Sequence, residues 1–147
     1  MRIVAAAFEQ LSGLSVYAMC LLRQQVFVVE QACPYPDIDG RDVEPGTRHV
    51  LMSDEDNDLI GYARVLDDQD VWRIGRVVLI AEARGRGLAE PLMQTALSVC
   101  QGRDVVLDAQ APLAGWYESL GFSVSGPEFV EDGILHVPMR RVSPASR

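Results

Sequence analysis

Apolar residues recur along this chain with two periods, and the switches between them outline its elements. Ile3 to Phe8 reads as a short strand. From Ser12 onward Leu14, Ala18, Leu21, Leu22, Val26 and Val29 fall at helical spacing, which predicts a long helix capped by Ser12 or Ser15 and ending near Gln31. Cys33-Pro34-Tyr35-Pro36 stops it, and the stretch on to Gly46, rich in proline, aspartate and glycine, is expected to cross the surface as a loop. Three apolar runs follow, Thr47 to Ser53, Leu59 to Leu66 and Val71 to Ile80, separated by acidic breaks at Asp54 to Asp58 and Asp67 to Asp70. Tight turns at those breaks make an antiparallel meander. A second helical period covers Gly87 to Gln101, and Val105 to Ala109 reads as a buried strand. A short helix from Pro112 to Leu120 has proline in its first turn and Gly121 behind it, and the strands Phe122 to Ser125 and Ile134 to Arg140 close the chain. Residues 143–147 are expected to form a disordered tail, leaving residues 1–142 as one domain. Meander, helical crossover, second helix and hairpin together predict an α/β or α+β layer. Its mixed, mostly antiparallel sheet would have roughly six to seven strands flanked by helices.

A length of 147 residues, 48% of them hydrophobic, suits one domain with a substantial core. The apolar runs are short and broken by charge, and the N-terminal stretch is too brief and too acidic for a signal peptide, so a soluble cytoplasmic protein, monomer or homodimer, is expected. Cys20, Cys33 and Cys100 are odd in number and lack a Cys-x-x-Cys pair, which indicates neither a disulfide framework nor a zinc site. A net charge of −8 with scattered arginines argues against nucleic acid. It favours a cationic small partner and equally serves solubility.

The candidate chemistry begins where Val77-Val78-Leu79-Ile80 gives way to Arg84-Gly85-Arg86-Gly87-Leu88-Ala89, at the change from strand to helix. Unpaired amides at a helix start, with the positive end of the dipole behind them, form an anion site, and glycines let a phosphate approach. The alternative is a glycine-rich turn with two solvated arginines. A Walker loop is excluded because all 13 basic residues are arginine. The dinucleotide fingerprint fails because Glu90 stands where the third glycine belongs. What remains, Arg-x-x-Gly-x-Ala, resembles the acetyl-CoA loop of the GNAT acyltransferases.

That resemblance spans nearly the whole chain. Ala114-Gly115-Trp116-Tyr117-Glu118-Ser119-Leu120-Gly121-Phe122 looks like the family's second signature, with its tyrosine four residues before a Gly-Phe pair. Four further stretches resemble the ElaA-type branch of that family: Arg23 with Val26 to Gln31, Cys33-Pro34-Tyr35 with Asp37, Asp39 and Asp42, Thr47-Arg48-His49, and Glu131-Asp132-Gly133-Ile134 with His136. The resemblance implies the GNAT fold, with the fourth and fifth strands splayed around the coenzyme, and an N-acetyltransferase that joins acetyl-CoA to an amine. A coenzyme-A-binding module of the same fold without turnover is the rival reading.

By resemblance, Arg84 to Ala89 would hold the pyrophosphate and Val77, Val78 and Leu79 would follow the pantetheine arm, with the Leu79 amide polarising the thioester carbonyl. Tyr117 would act as general acid: a phenol of pKa ~10 is protonated at neutral pH and is expected to pass its proton to a thiolate of pKa ~8.5 in a favourable direction. The glutamate that some histone-acetylating relatives carry on the fourth strand is replaced by Arg73, so that base is not inherited. Glu30 and His49 are the working choices for base and acceptor binding, with His136 and Glu131 next. Ala81 departs from a common proline, and Gln110 is the nearest amide to the asparagine often found after the fifth strand. Asp37, Asp39 and Asp42 lack the order and terminal glutamate of a calcium loop; no metal is expected, and they would contribute to a cation-binding acceptor mouth or solvate a loop.

Overall fold

The computed structural model describes residues 1–144. Eight strands form one sheet: β1 (Arg2–Ala6), β2 (Arg48–Ser53), β3 (Leu59–Asp67), β4 (Val71–Leu79), β5 (Asp104–Gln110), β6 (Ser123–Val124), β7 (Phe129–Glu131) and β8 (Ile134–Arg141). Their order is β1-β2-β3-β4-β5-β8-β6, with β7 on β8, and only β4 and β5 run parallel. The mixed, mostly antiparallel sheet read from the sequence is present with β7 added. Three residues make too short a run to signal a strand, and β7 forms because β8 offers a partner and the left-handed Asp132 (φ 52°) and Gly133 (φ 76°) close a tight turn.

Side chains alternate across the sheet, so β2 sends Val50 and Met52 to one face and Leu51 to the other. Helix α2 (Ala89–Ser98) covers the first face with Leu92, Met93, Ala96 and Leu97. Helix α1 (Gly13–Arg23) covers the second, beginning where the Ser12 side-chain oxygen accepts the Ser15 amide at 3.1 Å. Helix α3 (Ala114–Ser119) is short, preceded by a 3₁₀ turn at Ala111–Leu113. At about 1.5–3 kcal/mol per fully buried large apolar side chain, these two layers supply most of the favourable burial.

The first helix reaches as far as its spacing predicts but changes winding. From Gln24 to Glu30 it is a π-helix, with the Gln31 amide donating to the Val26 carbonyl. Its buried face is also corrected: Met19, Leu22, Arg23 and Val26 point inward, whereas Leu14, Leu21 and Val29 are exposed. Two apolar stripes overlap on this helix, and spacing alone does not say which one meets a sheet.

Ser143, expected to open a disordered tail, is buried, and its amide donates to Asp104 Oδ1 at 2.7 Å. The rest of that expected tail from residue 145 lies outside the described residues. Among the described residues no helix is long and apolar enough to cross a membrane. The three cysteines are unbridged.

Candidate active site

Strands β4 and β5 pair only from Val71–Arg73 against Asp104–Val106. Beyond that β4 carries a bulge, where Arg76 and Val77 oppose the single Ala63 of β3 and Arg76 takes a left-handed φ of 55°. A bulge bends its strand. The two strands therefore part, and the wedge between them is a cavity of about 640 Å³, a size suited to a small-molecule ligand.

Val77, Val78 and Leu79 form one wall of this cavity, and Leu107, Asp108 and Gln110 of β5 form the other. At its end, β4 passes through a 3₁₀ turn (Ala81–Ala83) to Arg84 and the glycines. Gly85 (φ 73°) and Gly87 (φ 72°) are left-handed, and a Cβ on either would meet no heavy atom within 4 Å. Gly87 is followed by right-handed Leu88 (φ −79°), and such an alternation turns successive amides to one side. Leu88 offers no side-chain acceptor to the first turn of α2, whose amides stay uncapped. The loop is therefore an open cradle of N–H groups ending at Ala89. Arg86 and Leu88 border a smaller depression of about 160 Å³ beside it.

Tyr117 lines the same cavity, packed edge-on to Trp116 and Phe122 at centroid distances of 4.9 and 6.0 Å. Burial raises its phenol to about 12. The favourable direction expected for proton donation is corrected: a phenol of pKa ~10 already holds its proton more tightly than a thiol of pKa ~8.5, so complete transfer is uphill, and burial widens the gap. Tyr117 is suited to donating a strong hydrogen bond to a developing thiolate, with transfer completed as another proton replaces it.

The candidate bases separate. His136 and Glu131 line the cavity from the β7–β8 hairpin. His136 Nδ1 lies 2.8 Å from the Ile134 carbonyl, which can only accept, so the proton sits on Nδ1 and the Nε2 lone pair is left available. Its ring stacks on Phe129 at 5.6 Å, which fixes the orientation. His49 is not in the cleft. It is 0% exposed, with Nε2 2.9 Å from the Asp42 carbonyl and Nδ1 2.6 Å from the Tyr62 hydroxyl. Both nitrogens are engaged, and burial lowers its pKa, so His49 serves the core rather than the acceptor. Glu30 does reach the cavity but is bonded to Arg84, whose guanidinium holds its carboxyl below the usual range. Arg73 also faces the cavity and pairs with Asp68 and Asp108.

The three loop aspartates do not solvate their loop. Asp42 is buried against Arg23 at 2.7 Å and Arg64 at 3.1 Å, Asp37 pairs with Arg23 at 3.0 Å and Arg76 at 2.8 Å, and Asp39 pairs with Arg64 at 2.8 Å and Arg76 at 3.4 Å. Tyr35 donates to Asp37 and lies under the Arg76 guanidinium. Three acids and three arginines thus tie the loop to α1, β3 and the β4 bulge, and Tyr35, Asp39, Arg64 and Arg76 form part of the cavity wall. Sequence reasoning missed this network. The closely spaced Asp37, Asp39 and Asp42 were visible, but each arginine partner lies 14 to 39 positions away.

A family model described as "Acetyltransferase (GNAT) domain" matches residues 23–143. Protein ElaA of Escherichia coli K12 is 42% identical over 140 residues, covering 90% of this chain and 91% of that protein. The crystal structure of Escherichia coli ElaA superposes with a TM-score of 0.91 at 37% identity, covering 96% of this chain and 99% of the other. An acyl-CoA N-acyltransferase from Pseudomonas aeruginosa gives a TM-score of 0.91 at 36% identity, with 97% of this chain and 100% of the other covered.

Proposed function

This chain belongs to the GNAT acetyltransferase family, and on that footing we propose that it transfers an acetyl group from acetyl-CoA to a primary amine of a small molecule or peptide. The observation that carries the reading is one cavity that runs from Arg84, where the glycine loop begins, between two parted strands, to Tyr117 and His136. The amides from Gly85 to Ala89, with Arg84 and Arg86, hold the pyrophosphate. Val77, Val78 and Leu79, on the cavity wall, follow the pantetheine arm, and Gln110 offers an amide from the facing strand.

His136 Nε2 takes the proton of the acceptor's ammonium group, leaving a neutral nitrogen. The nitrogen attacks the thioester carbon, the C–N bond forms, and the carbonyl oxygen becomes an oxyanion that the Leu79 amide stabilises. The C–S bond then breaks. Attack leaves the nitrogen positively charged, and it sheds its second proton to solvent as the bond breaks; Tyr117 donates to the departing sulfur and regains a proton from protonated His136 through solvent, so the ammonium and thioester give an amide, a thiol and one released proton. Positioning of the two reactants in one wedge supplies much of the rate.

An amine panel with thiol detection tests this reading. The parent protein is expected to release coenzyme A thiol with at least one primary amine. Tyr117→Phe and His136→Gln are expected to keep acetyl-CoA binding while turnover falls roughly 10²-fold or more. Acetyl-CoA binding is read from thermal shift, where ligand at 100 times its dissociation constant adds about 2.7 kcal/mol. Normal acetyl-CoA binding with no thiol release from any amine would overturn the enzyme and leave the binding module.

A further inference from the structure

The arginine that opens the glycine cradle already has a partner. Glu30 ends the π-helical segment and Arg84 lies 54 positions later, yet they meet at the cavity with Nη1–Oε2 2.8 Å and Nη2–Oε1 3.1 Å. The Arg84 Nε also donates to the Leu79 carbonyl at 3.1 Å, so the guanidinium ties the cradle to the end of β4. Both side chains of the ion pair line the cavity and remain open to solvent, at 41% and 46% exposure. The fork geometry is good, but at that exposure such a pair is worth about 0–1 kcal/mol. A competing anion can take the arginine.

Two consequences follow from charge. Phosphates arriving at the cradle meet a guanidinium whose two forked donors are occupied and a carboxylate that repels them. Once they capture Arg84, Glu30 is left as an unpaired carboxylate on the wall it shares with His136 and Glu131. An anion there is suited to an ammonium group.

We infer that Glu30 and Arg84 form an exchangeable latch between the donor and acceptor halves of the cleft: a pyrophosphate takes Arg84 from Glu30, and the released carboxylate holds a cationic acceptor. The latch rests on the acetyltransferase reading above. It makes binding of the two substrates mutually favourable, because coupling between sites is reciprocal. Glu30 is thus a positioning residue with alternating partners rather than a base.

The test is calorimetric titration of the full chain and its Glu30→Gln variant with coenzyme A and with pantetheine, which lacks the phosphates, at about 0.15 M salt, where longer-range fields are screened. Glu30→Gln is expected to bind coenzyme A about 2–5-fold tighter, consistent with releasing an exposed pair. Its affinity for pantetheine should not change, and the gain should vanish in an Arg84→Ala background. With the best amine of the panel at saturating acetyl-CoA, the same variant should raise KM for the amine more than it lowers kcat. Equal or weaker coenzyme binding by Glu30→Gln, or an equal gain for pantetheine, would overturn the latch alone. If the parent protein binds no coenzyme A, the transferase reading fails and the latch with it.

Discussion

Asp42 joins two buried arginines to a buried histidine. Its Oδ1 meets Arg23 and Arg64, both nearly inaccessible to solvent, and its carbonyl receives the His49 ring. Removing one partner of a buried pair leaves the other charge uncompensated, which typically costs about 3–5 kcal/mol. Asp42→Asn is therefore expected to lower the urea midpoint by that amount of stability at unchanged m-value, although it lies outside the coenzyme wedge. The same residue illustrates how legibility varies. Tyr117 was legible because its signature is local, a tyrosine and a Gly-Phe pair within one short helix and its exit. His49 and His136 were not separable, since each stands in a strand with no local mark of what faces it, and only the packed structure buries the first and opens the second.

The glycine loop shows an element whose conformation is set by its own residues. Gly87 at φ 72° occupies a region that costs an L-residue roughly 1–2 kcal/mol, and a Cβ there would enter the open cradle rather than the core. Gly87→Ala is expected to lose about that much stability by thermal melting, and to lose acetyl-CoA affinity by a larger factor than the melting change accounts for. The π-helical stretch and the β4 bulge behave differently. Nothing in Gln24 to Glu30 announces wide winding, and Arg76 is an unusual residue for a left-handed position. Arg76 is held at that turn by Asp37, Asp39 and the Tyr35 ring, all from a distant loop. The splay of β4 from β5 thus depends on contacts made after the strand itself is specified.

For the molecule as a whole, buried titratable groups tie stability to pH in two windows. Burial lowers the His49 pKa, so the unfolded chain takes up a proton first as pH falls below about 6.5, and stability present above that value is lost. Asp39 is disfavoured as an anion by burial, yet the Arg64 hydrogen bond, the Arg41 amide and the neighbouring arginines bring it down to about 2; burial likewise opposes the charge of Asp42, and Arg23 and Arg64 lower it. Their contribution is present above the ordinary carboxylate value of about 4 and disappears as pH falls towards about 2. The urea midpoint is expected to decline in two steps on acidification, and His49→Gln should remove the upper one; an upper step that survives this substitution would reject the assignment. The amino-acid order was sufficient for every strand but β7, for the positions of the helices, for the turn at Gly85 and Gly87 and for the helix that carries Tyr117, because turn type, helix start and side-chain period are settled within a few neighbouring residues. Which stripe of α1 is buried, which histidine faces the cleft, which arginine each aspartate meets and how far β4 parts from β5 were settled by the fold, because those outcomes depend on groups from different elements, as with the aspartate–arginine pairs 14 to 39 positions apart.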